Sequence, residues 1–321
     1  MALENVNRFI GPSSTSGNSN WSIDDLHTLA SQRLPDLITE RNDLILRADA
    51  NSLWLRWFIE GFCSPSRYVD DHAKGEAHVL VDAMLRVDQL FVHDTAPRRR
   101  AFAEKIAKQV MEEVTRQRNL KRDYASKQVK EDLVSASAIP RCWMCGYAFS
   151  SEALGIFLKQ PGAAPLQLPR LVDILRPRGL IERDISIEVE HITPVASGGT
   201  GTSNLALACG WCNRYKGAKT SIYDASFRAP RAPYTLGGQT LYELPHPFWT
   251  IRLMAVRRRC EHPDGCDASA DSHEMFIAPV SCLGSPNPSN LQIFCSAHDP
   301  YRLDRFMNRT DAETIWADRK R

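Results

Sequence analysis

The sequence predicts an α+β chain, all-helical over its first part and assembled from short strands, turns and cysteine knuckles over the rest. It does so on three counts. Phe102, Ile106, Val110 and Val114 stand four apart, which puts them on one face of a long helix. Of nine cysteines only Cys63 precedes residue 142, so the cysteine-bearing half is built differently from the first. Ser186 to Lys216 then reads as an apolar-alternating strand, a Gly-rich turn, a second short strand and a helix.

The 321 residues, 43% hydrophobic and 24% charged, describe a soluble globular chain with room for two or three domains. No apolar run approaches the roughly 20 residues that span a bilayer, which excludes a membrane-spanning class. The opening MALENVNRFIGPSSTSGNSN lacks the basic start and apolar core of a secretory signal, so a cytoplasmic location is expected. Thiols stay reduced there, and the cysteines read as metal ligands rather than disulfides. A net charge of +2 excludes a chain that is basic throughout; phosphate contacts would have to come from local clusters. Arg98 to Arg100, Arg257 to Arg259, and Arg319 to Arg321 through Lys320 are such clusters, and each reads equally well as a solvated face.

Taken in order, residues 1–20 form a Ser/Gly/Asn-rich flexible lead-in. A helical domain follows over 21–138, opened by Ser22 and Asp25 at capping-box spacing, with Pro35 breaking its first helix. Nothing in it assembles a reactive cluster, so its expected work is docking a protein partner, self-association or sensing. Composition changes at Ile139-Pro140, where a cysteine domain begins and extends to residue 226, with Gln160 to Pro169 as an inserted loop. Pro230, Pro233, Gly237, Gly238, Pro245 and Pro247 mark 227–249 as a linker, and 250–321 form a last domain.

Cys142-x2-Cys145 and Cys209-x2-Cys212 are two pairs of the kind that hold tetrahedral zinc, each presenting two thiolates from one tight turn. Residues 146–208 between them exceed a zinc ribbon's spacing, so a further element is built between the knuckles. That element contains SIEVEHITPVASGGTGTSNLALACGWCNRYK. A strand ending in Glu-His-Ile-x-Pro, a Gly-rich turn, Ser-Asn-Leu and Cys-x-x-Cys-Asn-x-x-Lys-Gly resembles the HNH endonuclease family, over Cys142 to Thr220.

The resemblance implies a ββα-metal fold on a treble-clef zinc site, with Ile187 to Ile192 as first strand, Val195 to Ser203 as turn, Leu205 to Ala208 as second strand and the helix from Cys212. It makes His191 the general base, since a neutral imidazole can take a proton from attacking water. Glu190, where many members carry Asp, becomes a ligand of a catalytic Mg2+ or Mn2+. Asn213 stands where the motif's last His would be and, as in HNN variants, becomes the second ligand through its amide oxygen. Asn204 matches the middle letter and ties the loop that aims the base. Lys216, three residues after Asn213, would contact or neutralise a phosphate, and Arg214 would make a generic backbone contact. Gly198, Gly199 and Gly201 read as hairpin-turn glycines, because no Lys-Ser/Thr follows as in a phosphate loop.

The tail carries a degraded second copy. Setting Phe276 to Val280 against His191 to Val195 brings Ser289-Asn290-Leu291 onto Ser203-Asn204-Leu205, with Cys295-x2-His298 on Cys209-x2-Cys212. In that alignment Phe276 replaces the base and Met275 replaces Glu190. A second zinc on Cys260, Cys266, Cys295 and His298 is expected, with His262 and Cys282 as competing ligands and the absence of a second zinc as the alternative. Arg257, Arg258 and Arg259 beside it are candidate nucleic-acid contacts.

The expected function is hydrolysis of DNA phosphodiesters, RNA not being excluded, with zinc in a structural role. A bacterial anti-phage defence effector is one setting for it. The rivals are a catalytically silent nucleic-acid-binding zinc protein and a nuclease active only with a partner.

Overall fold

The helical part follows from apolar spacing. In the computed structural model, which describes residues 27, 30–31, 43–118, 125–194, 201–225 and 231–317, α1 (Asp43–Glu60), α2 (Ser66–Val69), α3 (Glu76–Leu90), α4 (Ala96–Arg118) and α5 (Lys127–Ser135) occupy this region. Val79, Ala83 and Val87 of α3, four apart, face Ala103, Ile106, Ala107, Val110 and Val114 of α4, all buried. Each Val or Ile so buried contributes about 1.5–3 kcal/mol. Phe102 lies at the edge of the expected stripe and packs edge-on against Phe62 and Phe91 instead. Arg118 closes the bundle by donating to the carbonyls of Tyr68, Val69 and Asp71. Cys63 bonds the Tyr68 hydroxyl at 2.9 Å, a packing role. The lead-in, Ser22, Asp25 and Pro35 lie outside the described residues, as do Arg319 to Arg321.

The chain divides into two compact units, Met1–Ala48 and Asp49–Arg321. In the first, residues 27, 30 and 31 are helical and α1 begins at Asp43. The second, Asp49–Arg321, contains α2 to α5 together with both cysteine regions.

After α6 (Ser151–Phe157) and the expected loop come β1 (Leu171–Asp173), α7 (Glu182–Ile185), β2 (Ile187–His191), β3 (Leu205–Cys209) and α8 (Gly210–Lys216). β2 and β3 pair antiparallel, with Ile187 opposite Cys209 and His191 opposite Leu205. The helix starts two residues earlier than expected, at Gly210, where α7 approaches so closely that a Cβ would lie 1.8 Å from the Arg183 carbonyl oxygen. Of the turn, residues 195–200, with Gly198 and Gly199, lie outside the described residues; Gly201 has φ +85°.

The expected linker is corrected. β4 (Arg231–Leu236) and β5 (Gln239–Glu243) form a hairpin whose turn is Gly237-Gly238, both at positive φ. Two such residues make the tight turn that suits strand twist, and Pro233 sits at the register shift where no ladder donor is needed. α9 (Pro247–Arg257), β6 (Met275–Pro279), β7 (Leu291–Cys295), β8 (Phe306–Asn308) and α10 (Arg309–Ala317) complete the chain. β8 pairs with β1, so the insert between the first two knuckles is completed by the C-terminal region. Arg305, wholly buried, locks that junction, with Asp173 at 3.0 Å, Asp299 at 2.5 Å and the Ile277 carbonyl at 2.7 Å. No helix among the described residues is long and apolar enough to cross a membrane.

Candidate active site and zinc centres

Two cysteine knuckles converge on β3. Cys142 N–H donates to the Tyr147 carbonyl and Trp143 N–H to the Leu207 carbonyl, each at 2.9 Å, which pins the first knuckle to the strand carrying Cys209. Gly146, at φ +72°, is required because a Cβ would fall 1.9 Å from the His273 carbonyl oxygen. The Sγ atoms of Cys142, Cys145, Cys209 and Cys212 lie within 4.8 Å of one another, all buried, and none is in a disulfide. Cys145 and Cys209 are 4.0 Å apart, too far for a disulfide and close to the roughly 3.8 Å edge of a zinc tetrahedron with Zn–S bonds of about 2.3 Å. Burial alone would raise the Cys145 thiol, but bonds from the other three sulfurs and the charge of Arg176 bring it well below its ordinary value. The Arg178 guanidinium also approaches the Cys145 sulfur, at 3.8 Å. The set can hold a zinc ion.

Alternation along β2 turns Glu188 and Glu190 toward the same side, opposite Ala208 and Ala206, whose small side chains admit α8. Asn213 and Lys216, three apart on α8, meet these carboxylates as two rungs. Lys216 Nζ donates to Glu190 Oε1 at 2.5 Å and to the His191 carbonyl at 2.8 Å. Asn213 Nδ2 donates to Glu188 Oε2. Glu190 is nine-tenths buried, whereas His191 at the strand end is half-buried. Asn204 accepts from Thr193 N–H at 2.9 Å and donates to the Thr193 carbonyl at 2.8 Å, clamping the chain that leaves His191.

Several expectations are corrected by these contacts. Lys216 is 6% exposed and occupied with Glu190, so it does not project toward a phosphate. Arg214 pairs at 2.6 Å with Asp184, whose side chain is fully buried, and burial raises that carboxyl above its ordinary value despite the arginine. Arg257 pairs with Glu261, and Arg258 holds the Trp143 carbonyl and Asp271, so of that cluster Arg259 alone is exposed. Glu190 and Asn213 come to the same side of the hairpin but bond different partners. Glu188 was missed, although two carboxylates at i and i+2 of an alternating strand are its signal.

The tail brings Cys260, Cys266, Cys295 and His298 within 4.8 Å of one another. His298 Nδ1 lies 3.6 Å from Cys260 Sγ and 3.5 Å from Cys295 Sγ. His262 stacks on the His298 ring, and Cys282 bonds the Tyr301 hydroxyl at 2.9 Å, so neither joins the four. β6 and β7 pair in the same register as β2 and β3, Met275 opposite Cys295 and Pro279 opposite Leu291. Asn290 clamps the Ser281 backbone as Asn204 clamps Thr193. This shifts the alignment of the two copies by three residues: Pro279 stands at the place of His191, Ala278 at that of Glu190 and Phe276 at that of Glu188. The shared Ile-x-Pro-Val pattern aligned the copies wrongly because the turn of the second is two residues shorter. Its hairpin still lacks an imidazole and a carboxylate at those places.

The family model described as HNH endonuclease matches residues 180–219, from α7 to just beyond α8. No curated protein and no solved structure matches the chain.

Proposed function

The chain carries an HNH endonuclease domain at residues 180–219, and from that premise we propose that it is a metal-dependent endonuclease hydrolysing DNA phosphodiesters. The observation that carries this reading is the end of β2: half-buried His191, beside buried Glu190, on a hairpin backed by α8 and clamped by Asn204. His191 takes the proton of the attacking water. The Asn204 clamp fixes the backbone leaving His191 and so aims the ring. Glu190 and Asn213 would hold a Mg2+ or Mn2+ ion, a hard cation suited to carboxylate and amide oxygens. Their fit is supported by the chemistry of the donor set, a carboxylate and an amide that come to the same side of the hairpin, and the Lys216 ammonium now bonded to Glu190 would have to yield to the ion. When bound, the ion supplies positive charge to the leaving oxygen and the scissile phosphate. Cys142, Cys145, Cys209 and Cys212 would hold zinc as frame only, and Cys260, Cys266, Cys295 and His298 a second zinc in a finger derived from the same unit.

The test is nicking of supercoiled plasmid by wild type and His191→Ala, with EDTA, Mg2+ and Mn2+ arms and zinc content measured in both. Metal-dependent nicking lost in the variant is expected. Equal cleavage by both would remove His191 from the role of base. A second reading, a zinc protein that binds nucleic acid without cutting it, is favoured by the Lys216–Glu190 pair, which neutralises the carboxylate. Retained DNA binding with no cleavage in any metal arm selects it.

A further inference from the structure

We propose that Glu188 is a positioning residue that decides which end of the Asn213 amide faces the divalent ion, an inference resting on the nuclease reading above. The two ends of an amide have nearly the same shape but opposite chemistry: the oxygen ligates a cation, the nitrogen only donates. A half-turn about the last side-chain bond exchanges them and removes the ligand. Something must select the end, and a carboxylate, which only accepts, is suited to do so.

Glu188 Oε2 accepts from Asn213 Nδ2, which commits the nitrogen and leaves Oδ1 at the other end of the amide. Among the described residues no donor bonds that oxygen. Glu188 is itself held: Arg183 donates to Oε1 from Nε at 2.7 Å and to Oε2 from Nη2 at 3.4 Å. Arg183 belongs to α7, whose carbonyl at that residue lies against Gly210 where α8 begins. Arginine, carboxylate and amide thus form one chain from α7 through β2 to α8. The second hairpin supplies an internal control. There Cys295 is followed by a turn instead of a helix, so no amide needs orienting, and Phe276 stands at the place of Glu188.

The experiment is a cycle of four zinc-loaded full-length proteins: wild type, Glu188→Gln, Asn213→Asp and the double variant. Mn2+ affinity is read by calorimetry and electron paramagnetic resonance, with zinc content and melting temperature as controls. The side-chain amide introduced by Glu188→Gln can donate as well as accept, so the Asn213 amide is no longer forced one way. Mn2+ affinity is then expected to fall about 10–100-fold, the usual effect of losing an outer partner of a ligand. In the Asn213→Asp background both ends are oxygens and no wrong end exists. Glu188→Gln should there leave affinity unchanged or raise it, since a like charge is removed.

That reversal between backgrounds supports the proposal. An equal loss in both would assign Glu188 a merely structural role, and no loss in either would show that it does not select the amide's end; both overturn the inference. So does a wild type that binds no Mn2+. A wild type that binds Mn2+ with the expected reversal yet cuts no plasmid in any metal arm overturns the nuclease reading and leaves the positioning role standing.

Discussion

Two hairpins in this chain share a frame and differ in what the frame displays. β2–β3 and β6–β7 have the same register, the same asparagine clamp and a four-ligand cluster at the same end. Their knuckles also match, Arg141 bridging Ala148 in one and Arg259 bridging Ser269 in the other. What differs is the strand face: Glu188, Glu190 and His191 in the first, Phe276, Ala278 and Pro279 in the second, whose strand is buried along its length. The frame depends on backbone bonds and metal ligands, and it persists without any group able to move a proton. On the proposed reading, chemistry on this scaffold is a matter of three side chains and the helix behind them.

The largest expected effect separates the two clusters that could hold zinc. Binding at a structural zinc site is worth roughly 10–16 kcal/mol of folding free energy in small domains, so stripping both sites should unfold the region. The clusters should not empty together. All four ligands of the first are buried, whereas Cys266 and His298 of the second are half-exposed. A chelator is expected to release zinc in two phases, the second cluster first, with nicking retained through the first phase. One phase, or loss of nicking with the first equivalent, would break the division of the frame into two independent parts.

Next comes the Lys216–Glu190 rung, which the second hairpin lacks. Lys216→Met leaves a buried carboxylate without its cation and should cost about 3–5 kcal/mol in chemical denaturation. If the ammonium stands where a divalent ion is to act, Mg2+ should raise the melting temperature of the variant more than that of wild type. An equal Mg2+ effect on both would make Lys216 an ordinary buried partner.

His191→Ala should lower nicking about 10²–10⁴-fold, the range for loss of a general base, with little change in denaturation midpoint because the ring is only half-buried. The matched change Pro279→His should confer no activity, since Ala278 and Phe276 stand at the places of Glu190 and Glu188 and Cys295 is followed by a turn instead of a helix.

Much of this was legible in the sequence. Periodicity placed the stripe on α4, and cysteine spacing pointed to the two groups of side chains that the fold gathers, with His262 and Cys282 left as rivals in the second, because knuckles are local and their spacing is dictated by a tight turn. Misreadings arose where distant parts meet. Nothing local shows that β1 pairs with β8, or that Arg214 spends its charge on Asp184 and Arg258 on the Trp143 carbonyl. The glycines of the supposed linker were a hairpin signal overshadowed by nearby prolines. The register of the second hairpin was misplaced because a short apolar-proline string recurs easily, whereas strand pairing is fixed only by partners across the sheet.

The smallest effect sets the two clamps against each other. Asn204→Ala removes a side chain that satisfies one backbone N–H and one carbonyl at a strand end, and Asn290→Ala removes one that satisfies the Ser281 N–H and the Ser281 and Ser285 carbonyls. Each should cost about 1–3 kcal/mol, the penalty for leaving such groups without their partner. The stability loss should therefore be at least as large for Asn290→Ala as for Asn204→Ala, while the loss of activity should run the other way. Loss of the first clamp frees the backbone next to His191 and should slow nicking by more than its stability cost accounts for; loss of the second frees a turn that follows Pro279 and should leave nicking unchanged. Asn204→Asp, which keeps the acceptor for Thr193 N–H but gives up the donor, should fall between wild type and Asn204→Ala in both measurements. Equal loss of nicking from the two alanine variants, at equal stability, would mean that the second hairpin takes part in cleavage, and the frame would have to be read as one site instead of two.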